Sequence, residues 1–252
     1  MKEKLYEIPL NDAMDAEDEC PFCYLERKTE EELMDFVLGS CASYMERDTR
    51  ENTDRAGFCR THEKKMFEYG NALGNGWILK TYYKKLIREM KEEFHNYTPT
   101  KVSLKDRLTG RNKEGNSVCQ WIEEKEKTCY ICDRFAENYN RYVEAFFNLY
   151  KKDTNFSHKV KQSKGFCLHH FKDLLKGADR YLNHKERETF YPLVFLLMEQ
   201  NMERISGDID WFIEKFDYLN LDADWKQSKD AVPRGMQKIR GGYPSDPPYK
   251  LR

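Results

Sequence analysis

The sequence has no apolar run able to cross a bilayer. Its longest, Phe190 to Met198, spans nine residues and is interrupted by Pro192, whereas a membrane-spanning helix needs roughly 20. A buried helix is expected there, and no membrane association. An excess of one charge sign is also missing, since 43 basic and 44 acidic side chains leave a formal net charge of -1. Such a balance gives no whole-molecule attraction for nucleic acid. The most basic strip begins at Trp225, with seven basic against two acidic residues to the end of the chain. It reads as a solvated end, with nucleic-acid contact through this segment kept as an alternative. Met1 to Cys20 is acidic and has no apolar h-region, so the expected location is cytoplasmic. Phosphate loops, nucleophile elbows and dinucleotide fingerprints are absent. Glu123 and Glu124 adjoin, and neighbours on a helix point apart, so they make no catalytic carboxylate pair. No catalytic residue is assigned, and an enzyme is not expected.

What is present is a chain that folds. Of 252 residues, 39% are hydrophobic and 14% aromatic, too many for a disordered polymer. Apolar positions recur at steps of three and four, and strict alternation is scarce, so the expected class is all-α. Leu33, Phe36, Val37, Tyr44 and Met45 mark a helix that could run to about Arg47. Leu79, Tyr83, Leu86, Ile87, Met90 and Phe94 mark a long one ending near Tyr97, its start set by the Gly74-Asn75-Gly76 turn. Residues 98–116 are polar, with Pro99, Gly110 and Gly115, and read as a linker. Beyond them Phe135, Tyr139, Tyr142, Val143, Phe146, Phe147 and Tyr150 repeat the amphipathic pattern, followed by Phe171, Leu174, Leu175 and Ala178. The most apolar helix, Leu193 through Phe216, should lie deepest. Pro192 either sits in its first turn or interrupts a longer helix begun at Asn183 to Glu186, a capping-box pattern. A short helix capped by Ser228 and stopped by Gly241-Gly242 follows.

The informative feature is a repeated cysteine pattern. Cys20-Pro21-Phe22-Cys23 is followed by Gly57-Phe58-Cys59-Arg60-Thr61-His62, with 35 residues between Cys23 and Cys59. Cys129-Tyr130-Ile131-Cys132 is followed by Gly165-Phe166-Cys167-Leu168-His169-His170, with 34 residues between Cys132 and Cys167. Two cysteines three apart in a turn converge on one ion, and neighbouring backbone amides can donate to the sulfurs. A cysteine opening a helix shares a face with the residue three positions on, which brings Cys59 beside His62 and Cys167 beside His170. Two such pairs supply four ligands, the closed tetrahedral set of structural zinc. The expected metal ligands are therefore Cys20, Cys23, Cys59, His62, Cys129, Cys132, Cys167 and His170, holding two Zn2+ per chain.

Read as helical hairpins, the ligands fall into one Cys3His set per half. The implied segments are 1–97, a first repeat; 98–116, the linker; 117–182, a second repeat; 183–242, C-terminal helices packed on both; and 243–252, an extended tail. Whether the ligand pairs combine within or between halves is left open by the spacing. An iron-sulfur cluster is the competing cofactor, because three cysteines and a histidine can hold one. A thioredoxin-like dithiol would require a βαβ pattern, which is missing, and covalent haem attachment a histidine where Tyr24 and Asp133 stand. His169 is read as lying beside the site or at the surface. Cys41 and Cys119 are read as small buried or semi-buried residues, and His95, His158 and His184 as surface groups.

Several segments carry a resemblance: Cys20 to Cys23, Arg50 to His62, Asn71 to Gly74, and Trp211 to Tyr218 with Ser228 to Asp230. Through them the chain resembles an uncharacterised family of bacterial proteins, a domain of unknown function whose members are sometimes labelled transporter substrate-binding proteins. The resemblance implies no activity, and the sequence shows neither the export signal nor the lipid-anchor start such a label would require. Trp211, Phe212, Phe216, Tyr218 and Trp225 are read as core packing in preference to a binding surface, and Arg50 and Arg55 as solvated or salt-bridged groups. The expectation is a zinc-binding cytoplasmic binding or regulatory module, its partner an unknown protein or small ligand.

Overall fold

The computed structural model describes residues 4–40, 43–99 and 116–242, and among them every regular element is helical. In chain order these are α1 (Lys4–Asp15), α2 (Pro21–Leu38), α3 (Arg47–Ala56), α4 (Arg60–Tyr69), α5 (Ala72–Asn96), α6 (Ser117–Lys127), α7 (Tyr130–Lys152), α8 (Thr154–Gln162), α9 (Leu168–Tyr181), α10 (His184–Glu214) and α11 (Ala231–Arg240). The chain divides into two compact units, one of residues 1–29 with 137–252, the other of residues 30–136. This division differs from the segments suggested by the repeat, for each unit draws on both halves of the sequence. Most of the linker read at 98–116, the tail at 243–252, and Cys41 lie outside the described residues.

The first unit is built around Phe146 of α7, which is fully buried. Its ring meets Phe22 at 5.7 Å, Phe147 at 5.2 Å, Phe156 at 5.5 Å and Phe166 at 6.2 Å between centroids. Burying each such ring stabilises by about 1.5–3 kcal/mol, and the spacing of Tyr142, Val143, Phe146 and Phe147 aims that face of α7 inward. Helix α10 starts with the capping box: Asn183 accepts from the Glu186 amide, while Glu186 accepts from the Asn183 amide. It continues through Pro192, so the longer helix is the one that forms. Only its first two-thirds is deep. Phe190, Val194, Leu197, Met198 and Ile205 are buried, whereas Ile213 and Phe216, expected in the core, are 63% and 69% exposed.

The second unit has a smaller core of Val37, Leu38, Met66, Ile78 and Ile131, with Met34, Cys129 and Tyr130. Helix α2 stops at Leu38, well short of the Arg47 expected, and the Gly39 amide makes an ordinary helical bond to the Asp35 carbonyl at 2.8 Å as the helix ends. A separate helix, α3, then begins at Arg47. Helix α5 begins earlier than its glycines suggested. Asn71 caps it by accepting from the Gly74 amide at 2.9 Å, so Gly74 and Gly76 lie inside the helix. Its stripe of Leu79, Tyr83, Ile87 and Phe94 is exposed, and among its residues only Gly74 and Ile78 are buried.

Candidate metal centres

The four cysteine motifs open four helices. Cys20 directly precedes α2, Cys59 caps α4, Cys129 directly precedes α7 and Cys167 caps α9, and each second ligand follows three residues later in the first turn. Two helix N-termini therefore meet at each cluster, and their unpaired amides and dipoles favour thiolate over thiol. The His170 amide donates to Cys167 Sγ at 3.4 Å, one such contact.

The eight residues gather into two clusters, within each of which the donor atoms lie inside 4.8 Å of one another. The pairs combine between halves: Cys20 and Cys23 join Cys167 and His170, and Cys59 and His62 join Cys129 and Cys132. The grouping by half, Cys20 and Cys23 with Cys59 and His62, and Cys129 and Cys132 with Cys167 and His170, does not form. The reason is local pairing of the ligand loops. The Tyr130 amide donates to Gly57 O at 2.9 Å and Thr128 Oγ1 to Ala56 O at 2.6 Å, fastening the Cys129 loop to the Cys59 loop. At the other cluster Lys164 Nζ donates to Glu17 O at 2.7 Å, and Lys238 Nζ bridges Glu19 O and Lys164 O.

In the first cluster His170 Nδ1 stands 3.3 Å from Cys20 Sγ, 3.5 Å from Cys23 Sγ and 3.1 Å from Cys167 Sγ, and Cys23 Sγ is 3.8 Å from Cys167 Sγ. In the second, His62 Nδ1 stands 3.2, 3.3 and 3.4 Å from the sulfurs of Cys59, Cys129 and Cys132, and Cys59 Sγ is 3.8 Å from Cys132 Sγ. Metal–sulfur bonds of about 2.3 Å and a metal–nitrogen bond of about 2.05 Å at tetrahedral angles place sulfurs about 3.8 Å apart and sulfur and nitrogen about 3.5 Å apart. The donor sets fit one four-coordinate ion each, with no ligand position left over.

The other imidazole nitrogens face carboxylates. His62 Nε2 and Glu30 Oε1 are 3.0 Å apart in a hydrogen bond, and Lys65 holds the opposite oxygen of Glu30. His170 Nε2 lies 3.0 Å from Glu26 Oε1, an ion-pair contact without hydrogen-bond alignment. A carboxylate behind a ligating histidine fixes its tautomer and raises its basicity. Neither glutamate was picked out from the sequence. The signal was spacing, since Cys23, Glu26 and Glu30 recur on one face of α2.

Protonation follows from this crowding. Hydrogen bonding to Cys129 and Glu30, against burial, raises His62 to about 10. Burial works against ionisation of Cys129, yet the hydrogen bond from His62 and those from backbone amides carry its thiol down to about 6. Burial and the Cys129 thiolate push Cys132 up to about 12. In the first cluster, burial opposes the charged His170, but its bonds to Cys167 and Cys20 raise it to about 12. Cys167 is driven far down by hydrogen bonds from Cys20 and Cys23, and Cys23 is driven up by Cys167 in turn. In each cluster these contacts favour a thiolate beside the imidazole, and binding of a cation would release the protons that remain.

The clusters differ in shielding. All four residues of the first are buried; in the second Cys132 is exposed and Cys59 half-buried. Helix α11 supplies much of that cover. A Cβ on Gly241, whose φ is +79°, would stand 3.1 Å from Cys167 Sγ and 3.7 Å from Cys23 Sγ, so a residue without a side chain closes over the sulfurs. Arg234 and Lys238, expected at a solvated basic end, are 7% and 1% exposed and paired with Glu19 beside Cys20.

Of the remaining singled-out residues, His169 is exposed, with Nε2 3.5 Å from Asp173. Cys119, expected to be at least half-buried, is exposed, and His95, His158, His184, Glu123 and Glu124 are exposed as expected. Arg50 lies over the Trp77 ring, and Arg55 donates to Asn52 Oδ1 at 2.8 Å. Phe212, Phe216 and Trp225 do cluster, but at the surface, around a buried Lys215 that donates to the carbonyls of Asn220, Leu221 and Ala223.

The structure therefore defines an all-helical protein with two Cys3His clusters that could each hold a metal ion and, among the described residues, no helix long and apolar enough to cross a membrane. Residues 1–246 match DUF6062, a family of unknown function, and the chain belongs to that family. No curated protein and no solved structure matches it.

Proposed function

We propose that this chain is a zinc protein carrying two mononuclear structural sites, and that it serves a reducing compartment such as the cytoplasm as a binding or regulatory module. The observation that carries the reading is the sulfur separation of 3.8 Å in both clusters, the edge of a single zinc–thiolate tetrahedron. An iron-sulfur cluster distributes its ligands over separate irons and needs donors further apart than that edge. The glutamates behind both histidines support the same reading. Four protein ligands close the coordination sphere and leave no place for substrate, which favours a structural role.

Elemental analysis of protein prepared without tags or oxygen tests this. The expected result is two zinc per chain, a colourless solution, and loss of helical signal when a strong chelator removes the metal. Iron in place of zinc, or full helicity without metal, would overturn it.

A further inference from the structure

Helices α4 and α5 enclose a groove of about 330 Å³ that the metal centres do not use. Glu63, Met66 and Phe67 line it from α4, at the three- and four-residue steps of one helical face. Asn75, Ile78, Leu79, Tyr82 and Tyr83 line it from α5 at the same steps, and Phe58 adds a fourth aromatic ring. The volume is at the lower end of the range for small-molecule sites, roughly 300–1,000 Å³.

The groove carries charge of one sign. Glu63 is its only charged lining residue, and it has no cationic partner among the described residues. Asn75 donates through Nδ2 to Met66 O at 2.8 Å, which turns its side-chain oxygen the other way, and that oxygen is buried with no hydrogen-bond partner. Asn75 Oδ1 is out of solvent's reach, and the Tyr82 and Tyr83 hydroxyls can donate or accept, so the fixed demand on an occupant is set by the Glu63 carboxylate, which only accepts. Phe58, Phe67, Tyr82 and Tyr83 also line the groove, and the face of such a ring attracts a cation. Phe67 and Tyr83 at the rim are 83% and 56% exposed, so their rings are open to an occupant of the groove.

We infer that the α4–α5 groove is a binding site for a small organic ammonium with an apolar body: the hydrocarbon part lies among the rings, and the N–H donors reach Glu63. A neutral compound of the same shape gains the apolar contact but brings no charge to Glu63, and an anionic one is repelled by it. Because Glu63 is exposed, its charge contributes modestly.

The test uses the full metal-loaded chain with 13C-methyl methionine and follows the Met66 methyl resonance, assigned with Met66→Leu. 2-Phenylethylammonium should shift it saturably, and 2-phenylethanol and phenylacetate should bind at least tenfold more weakly. Glu63→Gln should weaken ammonium binding about threefold to tenfold, and Phe67→Ala should weaken it as well, both with unchanged zinc content and circular dichroism. Equal binding of the three compounds, a non-saturating shift, or full ammonium affinity in both variants overturns the inference. Loss of zinc from wild-type protein would instead count against the metal reading, which this experiment does not need.

Discussion

Cys132 and Cys23 hold equivalent places in their motifs, yet one is exposed and the other fully buried. A ligand that solvent reaches can be protonated, competed for or oxidised without prior unfolding. On the zinc reading proposed above, the ion at the Cys59, His62, Cys129 and Cys132 cluster should therefore leave first. On titration with a chromophoric chelator we expect two kinetic phases, the faster abolished by Cys132→Ser and retained in Cys20→Ser. One phase of double amplitude would show that shielding does not set the rate. Gly57 gives a second expectation at this scale. Its φ of 63° and ψ of -159° fall where only glycine sits comfortably, and a Cβ there would stand 2.7 Å from Tyr82 Oη. Gly57→Ala should cost about 1–3 kcal/mol in denaturant unfolding. The sequence marked this glycine by its place before Phe58-Cys59, but not its contact with Tyr82, which depends on how α5 packs.

Among the elements, α11 departs most from its appearance in the sequence. Its basic residues looked like a solvated strip, but Arg234 and Lys238 run inward to Glu19, which Arg204 also contacts at 2.5 Å. Gln237 donates to Asp18 Oδ1 at 2.8 Å. The helix thus grips the loop that delivers Cys20. Burial opposes the ionised Glu19, but the Arg204 hydrogen bond and three cations outweigh it and lower its carboxyl below the usual range. A lowered carboxylate pKa stabilises the fold above the unfolded-state value, and that contribution is lost as the pH falls through the folded-state value. Glu19→Ala leaves Lys238 buried without its counter-charge, whereas Arg234 keeps Asp208 and Asp230; the change should destabilise by about 3–5 kcal/mol. Glu17→Ala, at an exposed position nearby, should have little effect. Comparable melting temperatures for the two variants would mean that the buried network is dispensable. Charge alone could not disclose this arrangement, because the carboxylate it answers lies 215 residues away in the case of Arg234.

For the whole molecule, the exchange of ligand pairs between halves has a direct consequence. One cluster joins positions separated by 144 to 150 residues, the other positions up to 73 apart. Cleavage between Pro99 and Asn116 leaves neither fragment with a complete ligand set. Fragments 1–97 and 117–252 should each fail to retain zinc alone and should copurify with two zinc when produced together. One zinc retained by each separate fragment would restore the grouping by half. The sequence by itself determined the all-helical class, the eight ligand-type residues and their pairing in twos, because helical periodicity and three-residue spacing are local properties of the chain. Which pair meets which, how deeply each centre is covered, and where the basic residues of α11 point were decided only by tertiary structure. Those outcomes rest on backbone hydrogen bonds and buried charges between segments far apart in sequence, and no local spacing encodes them.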